Sequence, residues 1–383
     1  MQLIAKTFAG LEEVLAQEIK NLGGKDIHLL KRAVSFQGNQ ELLYKANLHL
    51  RTALRILLPI GEFKARNEDT LYKQIHQIDW TKYMNASDTL AVDAVVNSSL
   101  FRHSKFAALK TKDAIVDRFR REKGVRPDVN VFDPTLRIHL HIQEADCSIA
   151  LDSSGDSLHK RGYRAEKLEA PINEVLAAGL VLLSGWQADC DFIDPMCGSG
   201  TILIEAALLA YGIAPQLKRV QFGFKRWNDF DKDLWSKVME EAQQAERRFD
   251  HSLYGYDLSF KAKNLAQHNA IKAGLEDKVS VERQNFEQLK APGTAGLLIM
   301  NPPYDERLPV EQISAFYRII GDRLKQAFAG YEAWIISSNM EAMKQIGLRP
   351  SSKKVLYNGP LECKFQQYRL FSGSLAEKKN DEE

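Results

Sequence analysis

The chain reads as an α/β protein in which two small α+β units precede a larger unit built on a mostly parallel sheet. Three observations carry that expectation. After Tyr163, apolar strand-like runs alternate with helical patterns, as they do in a parallel sheet with crossover helices. One of those runs, beginning at Phe192, passes directly into a glycine turn and then a helix. Residues 1–160 show shorter strand and helix patterns in mixed order instead, and 383 residues exceed what one hydrophobic core usually organises.

In chain order, residues 2–8 (QLIAKTF) predict a strand. Leu11, Val14, Leu15, Ile19 and Leu22 then recur at helical spacing, with Gly23-Gly24 as a stop signal. One or two strands over IHLLKRAVSFQG, a helix at Glu41–Leu50 and a strand at Ala53–Ile60 complete a unit of about sixty residues with a ferredoxin-like pattern. A second unit over 62–160 is expected to hold helices near Asp69–Gln77 and Lys105–Lys123 and strands at Thr89–Val96 and Leu136–Leu151. His139 and His141 fall on the polar face of the last strand, as solvated histidines or as a metal pair. Arg102–Arg126 carries nine basic residues against three acidic ones, which is either a solvated helix face or a phosphate-tracking surface. Arg102, Lys105, Arg118, Arg120, Arg121 and Lys123 are the candidate RNA contacts, with Phe101 and Phe106 nearby as core residues or stacking rings.

The larger unit is expected to place strands at Asp191–Pro195, Leu253–Asp257, Val279–Arg283, Gly296–Met300 and Ala333–Ser338, with Val355–Leu356 and Phe365–Phe371 closing the sheet. Helices are expected at Thr201–Tyr211, Leu258–Ala273, Ile313–Phe328 and Met340–Ile346. A long insert between Tyr211 and Phe249, rich in Trp, Phe and charge, ends in an amphipathic helix around Leu234–Arg247 that reads as a cover over one face. The tail EKKNDEE reads as disordered.

Net charge is only +2, but residues 1–164 carry an excess of five positive charges and residues 165–383 an excess of three negative ones. Cys147, Cys190, Cys197 and Cys363 show neither zinc-ligand spacing nor a disulfide framework, so no metal is expected and a reducing cytoplasm fits. The N-terminus lacks the apolar stretch of a signal peptide, and the longest apolar run, Val175–Leu183, is far short of a membrane span.

Two motifs and one carboxylate carry the chemistry. In Asp194-Pro-Met-Cys-Gly-Ser-Gly-Thr201, Gly198 and Gly200 let backbone approach a ligand, and the following helix N-terminus favours negative charge. Leu203 replaces the third glycine of a dinucleotide fingerprint, and no Gly-Lys-Ser/Thr of a P-loop follows. Asp257, at the end of the next strand, is placed either to accept ribose hydroxyls or to cap the helix after it. The strongest signal is Asn301-Pro302-Pro303-Tyr304 at the end of a buried strand. Two prolines remove two donors and fix the turn, so the Asn301 side chain and adjacent carbonyls face outward as acceptors. A base amino group is a poor nucleophile because its lone pair is delocalised into the ring. Acceptors gripping its N–H groups favour the pyramidal nitrogen that attacks a sulfonium methyl in line, while Tyr304 stacks on the flipped base.

These residues resemble the class I methyltransferases, and the likeness extends further. Lys160-Arg-Gly-Tyr-Arg164, Ala170-Pro171 with Glu174, Ser184-Gly185-Trp186, the Asp194–Thr201 motif, Ile213-Ala-Pro215 with Phe222-Gly-Phe224, and Asn301-Pro-Pro-Tyr304 with Glu306-Arg307 are similar in order and spacing to the large-subunit rRNA guanine-N2 methyltransferase L family. The opening Thr7-Phe-Ala-Gly-Leu-Glu12 is similar to that family's start. The resemblance implies a ferredoxin-like domain over 1–60, a THUMP RNA-binding domain over 61–157, and a Rossmann-like, seven-stranded methyltransferase domain over 158–375, with the tail at 376–383. It also implies S-adenosylmethionine as cofactor, RNA as partner (23S rRNA or a large-subunit precursor) and N2-methylation of a guanine in it. Carried over by position, the cofactor pocket takes Tyr163, Arg164, Pro171, Asp194, Pro195, Cys197, Gly198, Ser199, Gly200, Thr201, Asp257, Asn285 and Asn301, and the base is held by Asn301, Pro302 and Tyr304.

Two positions depart from the family pattern: Asn285 stands where Asp is common, and Asp305 where Gly follows the motif. Some relatives carry a second methyltransferase domain after this one, and with none here a single activity is expected. The rival readings are a THUMP-type tRNA guanine-N2 methyltransferase and, from another class, a non-catalytic RNA-binding assembly factor. Intact Gly198, Gly200, Asp257 and Asn301 argue against the latter.

Overall fold

The computed structural model describes residues 1–164, 172–303 and 310–371. Among these no helix is long and apolar enough to cross a membrane. Two compact units divide the chain: the first holds Met1–Thr7, Leu15–Lys160 and Arg219–Glu241, the second Phe8–Val14, Arg161–Lys218 and Ala242–Glu383.

The first eight strands are β1 (Gln2–Lys6), β2 (Lys25–Leu30), β3 (Ala33–Gln37), β4 (Arg55–Lys64), β5 (Thr89–Asn97), β6 (Asp128–Val129), β7 (Leu136–Gln143) and β8 (Asp146–Asp152). They form one sheet in the order β2-β3-β1-β4-β8-β7-β5-β6. Four helices interleave with them: α1 (Glu12–Asn21), α2 (Gln40–His49), α3 (Glu68–Gln77) and α4 (Ser104–Lys123). Asn39 and Asn67 start α2 and α3 by accepting the amides of Leu42 and Thr70, both at 2.9 Å. The junction expected at 60/61 falls inside β4, which pairs with β1 on one side and β8 on the other, so the two small units share a strand. The single strand expected over Leu136–Leu151 is a hairpin, because Glu144 adopts a φ of 51° and reverses the chain between β7 and β8. His139 and His141 are half-buried rather than solvated. Burial, with Lys6 adding to it, brings His139 down to about 4.

The insert expected to cover one face packs in large part within the first unit. Its 219–241 segment belongs to the first unit, where Tyr44 of α2 stacks on Phe224 with centroids 4.5 Å apart and meets Trp235 edge-on at 5.9 Å. The Tyr44 hydroxyl accepts the Asp231 amide at 3.0 Å, and Lys45 pairs with Glu241 at 2.9 Å. The helix of the insert, α5 (Lys232–Gln244), buries Trp235 and Val238.

The second unit is a seven-stranded sheet. Its strands are β9 (Asp191–Asp194), β10 (Leu253–Asp257), β11 (Ser280–Arg283), β12 (Gly296–Met300), β13 (Glu332–Ser337), β14 (Ser352–Asn358) and β15 (Leu361–Arg369), in the order β11-β10-β9-β12-β13-β15-β14. The first five in that order run parallel, and β15 is antiparallel to both of its neighbours. Helix α6 (Glu174–Leu183) packs on α7 (Thr201–Ala210), which lies against β9 and β10; α8 (Phe260–Ala273) packs on α7, β10 and β11. Elsewhere, Ile313, Tyr317, Ile320 and Leu324 of α9 (Val310–Ala327) and Ala342 of α10 (Met340–Lys344) form one core with Ile193, Leu298, Met300 and Ile335. Every residue of β12 is buried, as a central parallel strand covered on both faces requires. The strand order turns back at β9, with β10 on one side and β12 on the other. In open α/β sheets the crevice beyond the strand ends at such a reversal is where ligands bind.

Candidate functional site

The crevice is built from the carboxyl ends of β9, β10 and β12. Beyond β9 the chain makes the turn that the two glycines permit: Gly198 has φ 54° and Gly200 φ 77°. The Cys197 amide donates to the Tyr256 carbonyl at 2.8 Å, and the Gly198 amide to the Asp257 carboxylate at 2.9 Å. The other Asp257 oxygen accepts the Ser259 amide at 2.8 Å. The cap of α8 is Ser259, whose side chain accepts from the Ala262 amide at 3.3 Å, so Asp257 supports that helix start without being its cap. An ionised carboxylate offers about four lone-pair directions, and two stay available here.

The two glycines have different reasons. A Cβ on Gly200 would sit 3.0 Å from the Ala266 Cβ of α8, so this residue lets the turn pack on the helix. A Cβ on Gly198 meets nothing within 4 Å, which makes Gly198 the open side of the turn. Gly200 precedes α7 without a side-chain cap, so the amides of the helix's first turn lack intrahelical acceptors. Below the turn, Asn269 of α8 donates to the Ser199 carbonyl at 2.9 Å, and the Ser199 and Thr201 hydroxyls lie 3.2 Å apart. Cys197 is buried, and its thiol is pushed well up by burial, so it acts as a small filler.

Asp194 is almost fully buried under the turn. Burial raises its carboxyl to about 8; the Met196 amide opposes the shift and the nearby Asp257 carboxylate adds to it. The neutral acid is therefore the form this position favours at neutral pH.

At the end of β12 stands Asn301, followed by Pro302 and Pro303. β12 pairs with β9 through Leu298 and Ile193, which sets Asn301 beside the start of the glycine turn. Its side-chain oxygen is buried and has no hydrogen-bond partner among the described residues. Sequence reasoning missed what holds the motif from behind. The buried Tyr317 hydroxyl of α9 lies 3.4 Å from the Pro303 carbonyl and 2.8 Å from the Ser337 hydroxyl, which accepts the Asn339 amide at 3.1 Å. A relay in which each hydroxyl donates toward Pro303 satisfies every group. Tyr317 sits at helical spacing among Ile313, Ile320 and Leu324 and looks like one more apolar core position, so nothing local marks its hydroxyl.

Other residues named from the sequence are placed as follows. Arg164 donates to Glu174 and the Ile172 carbonyl, both at 2.6 Å, and reaches the Thr201 hydroxyl at 3.4 Å, joining the turn. Tyr163 points its hydroxyl at Glu205 of α7, at 3.0 Å, and is buried there. Asn285 spends one side-chain lone pair on the Glu287 amide at 3.0 Å, capping a short 3-10 turn. Pro171, Tyr304, Asp305, Glu306, Arg307 and the tail 376–383 lie outside the described residues. In the first unit Arg102, Lys105, Arg120, Arg121 and Lys123 are exposed on or beside α4, whereas Arg118 is drawn to Glu122 at 2.6 Å. Phe101 is a core residue and Phe106 is exposed. No group of three or more potential metal ligands occurs among the described residues.

Comparison with known proteins gives this geometry a context. Residues 161–367 match the family described as the RMKL-like methyltransferase domain, residues 2–57 the RlmL ferredoxin-like domain and residues 65–152 the THUMP domain. The chain is 41% identical over 373 residues to the ribosomal RNA large subunit methyltransferase K/L of Syntrophotalea carbinolica, covering 94% of this chain and 52% of that protein. It is 38% identical over 364 residues to a putative RNA methyltransferase of Synechocystis, covering 94% of this chain and 95% of that one. A crystal structure of SMU.472, a putative methyltransferase complexed with SAH, superposes with a TM-score of 0.87 at 31% identity over 98% of both chains. The chain thus spans about half the length of the K/L relatives it matches.

The Asp194 carboxyl yields a pH prediction. A buried acid raised from 3.8 to about 8 binds its proton more tightly folded than unfolded, so its contribution to stability is full below the unfolded value and is lost as pH rises toward 8. Thermal unfolding of wild type and Asp194→Asn across that range should show the wild-type Tm falling relative to the variant's. Parallel curves contradict a neutral Asp194.

Proposed function

The chain belongs to the RMKL-like methyltransferase family, and on that premise we propose that it transfers a methyl group from S-adenosylmethionine to the exocyclic N2 of a guanine in 23S rRNA or a large-subunit precursor, in the cytoplasm. The observation that carries the reading is the buried side-chain oxygen of Asn301 beside the glycine turn, which has no donor among the described residues. An amino group is the donor that fits it.

The residues present suit the cofactor. Gly198 leaves open space on the crevice side, Asp257 keeps two lone-pair directions for ribose hydroxyls, and the first-turn amides of α7 favour a carboxylate. Asn285 retains one acceptor direction for an adenine amino group, and Arg164 braces the turn through Thr201. When bound, S-adenosylmethionine supplies an electrophilic methyl on a sulfonium. Asn301 and the Pro302 carbonyl accept the two N–H groups of the base, draw the nitrogen out of conjugation and aim its lone pair. Tyr304 completes the site by stacking on the base. Positioning and acceptor alignment lower the barrier; as the N–C bond forms the S–methyl bond breaks to leave a thioether, and the extra proton on nitrogen passes to water. Tyr317 is a positioning residue, since its hydroxyl fixes the Pro303 carbonyl.

The exposed cations along α4 meet phosphates of the RNA, in keeping with the THUMP match of this segment.

Asn301→Ala should leave S-adenosylmethionine affinity nearly unchanged by titration calorimetry while turnover falls by about a hundredfold or more. Near-normal turnover contradicts the assignment. Tyr317→Phe removes the hydrogen bond to the Pro303 carbonyl, worth ~1 kcal/mol, together with the one to Ser337. It should lower kcat roughly fivefold with KM for RNA unchanged; a change in KM alone contradicts a positioning role.

A further inference from the structure

We propose that the first unit carries a docking pocket for one unstacked nucleotide of single-stranded RNA, with the ring of Phe132 as its stacking platform. This rests on the reading that the chain acts on RNA, and it concerns a surface separate from α4.

Phe132 lies in the loop between β6 and β7 and is 89% exposed, the highest value for a large apolar side chain among the described residues. A slack loop would fold such a ring against the protein, since burying a Phe gains roughly 1.5–3 kcal/mol. This loop is held instead. The Asn130 side-chain oxygen accepts the amides of Phe132 at 3.1 Å and Asp133 at 3.0 Å. Arg137 donates to the carbonyls of Val131 at 3.0 Å and Phe132 at 3.4 Å. From the insert, Arg226 donates to the Pro134 carbonyl at 2.9 Å and pairs with the Asp133 carboxylate at 2.6 Å. The turn keeps the ring presented to solvent.

Beside the ring is a cavity of about 230 Å³ that Phe132 helps to line. It lies below the ~300–1,000 Å³ typical of drug-sized ligands, on the scale of a single base. Arg137, Lys160, Arg219 and Arg226 line it with the carboxylates Asp133 and Asp156; Lys160 pairs with Asp156 at 3.2 Å and Arg137 with Asp93 at 3.0 Å. Arg219 donates to the carbonyls of Ser154 at 3.0 Å, Asp156 at 2.7 Å and Ser157 at 3.2 Å, and its guanidinium lies over the Phe222 ring at 5.1 Å, which fixes its charge in place. A cluster of cations held in place beside a presented aromatic supplies what a nucleotide needs: a phosphate seat and a π-face. An unstacked base gains from that face, whereas a duplex has already satisfied its stacking. A protein partner has no comparable use for the cations.

The test uses the full chain and a fluorescein-labelled single-stranded oligoadenylate octamer, with Kd read by anisotropy. Phe132 makes little packing contact, so Phe132→Ala should stay folded and raise Kd by about 5- to 100-fold, the range for one base–aromatic stack. Phe132→Tyr should stay within about twofold of wild type. An abasic octamer should bind wild type and Phe132→Ala alike, and Lys160→Gln should lower the salt slope of binding by about one. A Kd unchanged in Phe132→Ala, an equal loss on the abasic octamer, or no octamer binding by wild type overturns the pocket. An unchanged Kd is also the result expected if the ring instead meets a protein. Methyl transfer from labelled S-adenosylmethionine into 23S rRNA separates the two readings. Transfer by wild type together with an unchanged Kd removes the pocket alone, while no transfer removes the RNA reading.

Discussion

A polar atom taken out of water must find a partner or cost about 1–3 kcal/mol, and at the end of β12 the Asn301 oxygen has no donor among the described residues. The fold sustains that cost by surrounding it with rigid structure. β12 is buried along its length, the two following prolines contribute no amide donor of their own, and Tyr317 holds the Pro303 carbonyl from the core side. An acceptor without a donor among the described residues, held in this way, is preorganised for a donor that arrives with a ligand, which is what amino-group chemistry asks of a site.

The neighbouring strand ends extend the same principle. Asp257 ties the glycine turn to the start of α8 by accepting one amide from each. Its carboxylate is thereby fixed in direction before any ligand contacts it. Burial pushes the Asp194 carboxyl beneath the turn up to about 8, which favours a protonated acid over a second negative charge close to Asp257. The crevice thus offers one oriented carboxylate, open space beside Gly198 and one orphan oxygen, each secured by contacts made on the core side.

Much of this was legible in the sequence because the elements concerned are buried on both faces. β10 and β12 coincide with the expected Leu253–Asp257 and Gly296–Met300, since continuous apolar runs ending in Asp and in Asn-Pro-Pro leave little choice of boundary. Local pattern is blind to partners distant along the chain. The insert reads from sequence as a cover over one face, but that its Trp235 packs against Tyr44 is a contact that no neighbouring residue encodes. Gly198 and Gly200 look alike in sequence, and only the position of Ala266 separates the packing glycine from the open one. Tyr317 was hidden in an apolar stripe, and the turn at Glu144 was hidden because a non-glycine residue there adopts a positive φ.

We propose that the Asn301 crevice methylates the N2 of one guanine in large-subunit RNA. Quantitative mass spectrometry of nucleosides from purified 23S rRNA, comparing a strain lacking the gene with one complemented by wild type, tests it most directly. The account predicts that one N2-methylguanosine per 23S rRNA disappears without the gene and returns with the wild-type chain. An N2-methylguanosine content unchanged by loss of the gene would contradict it.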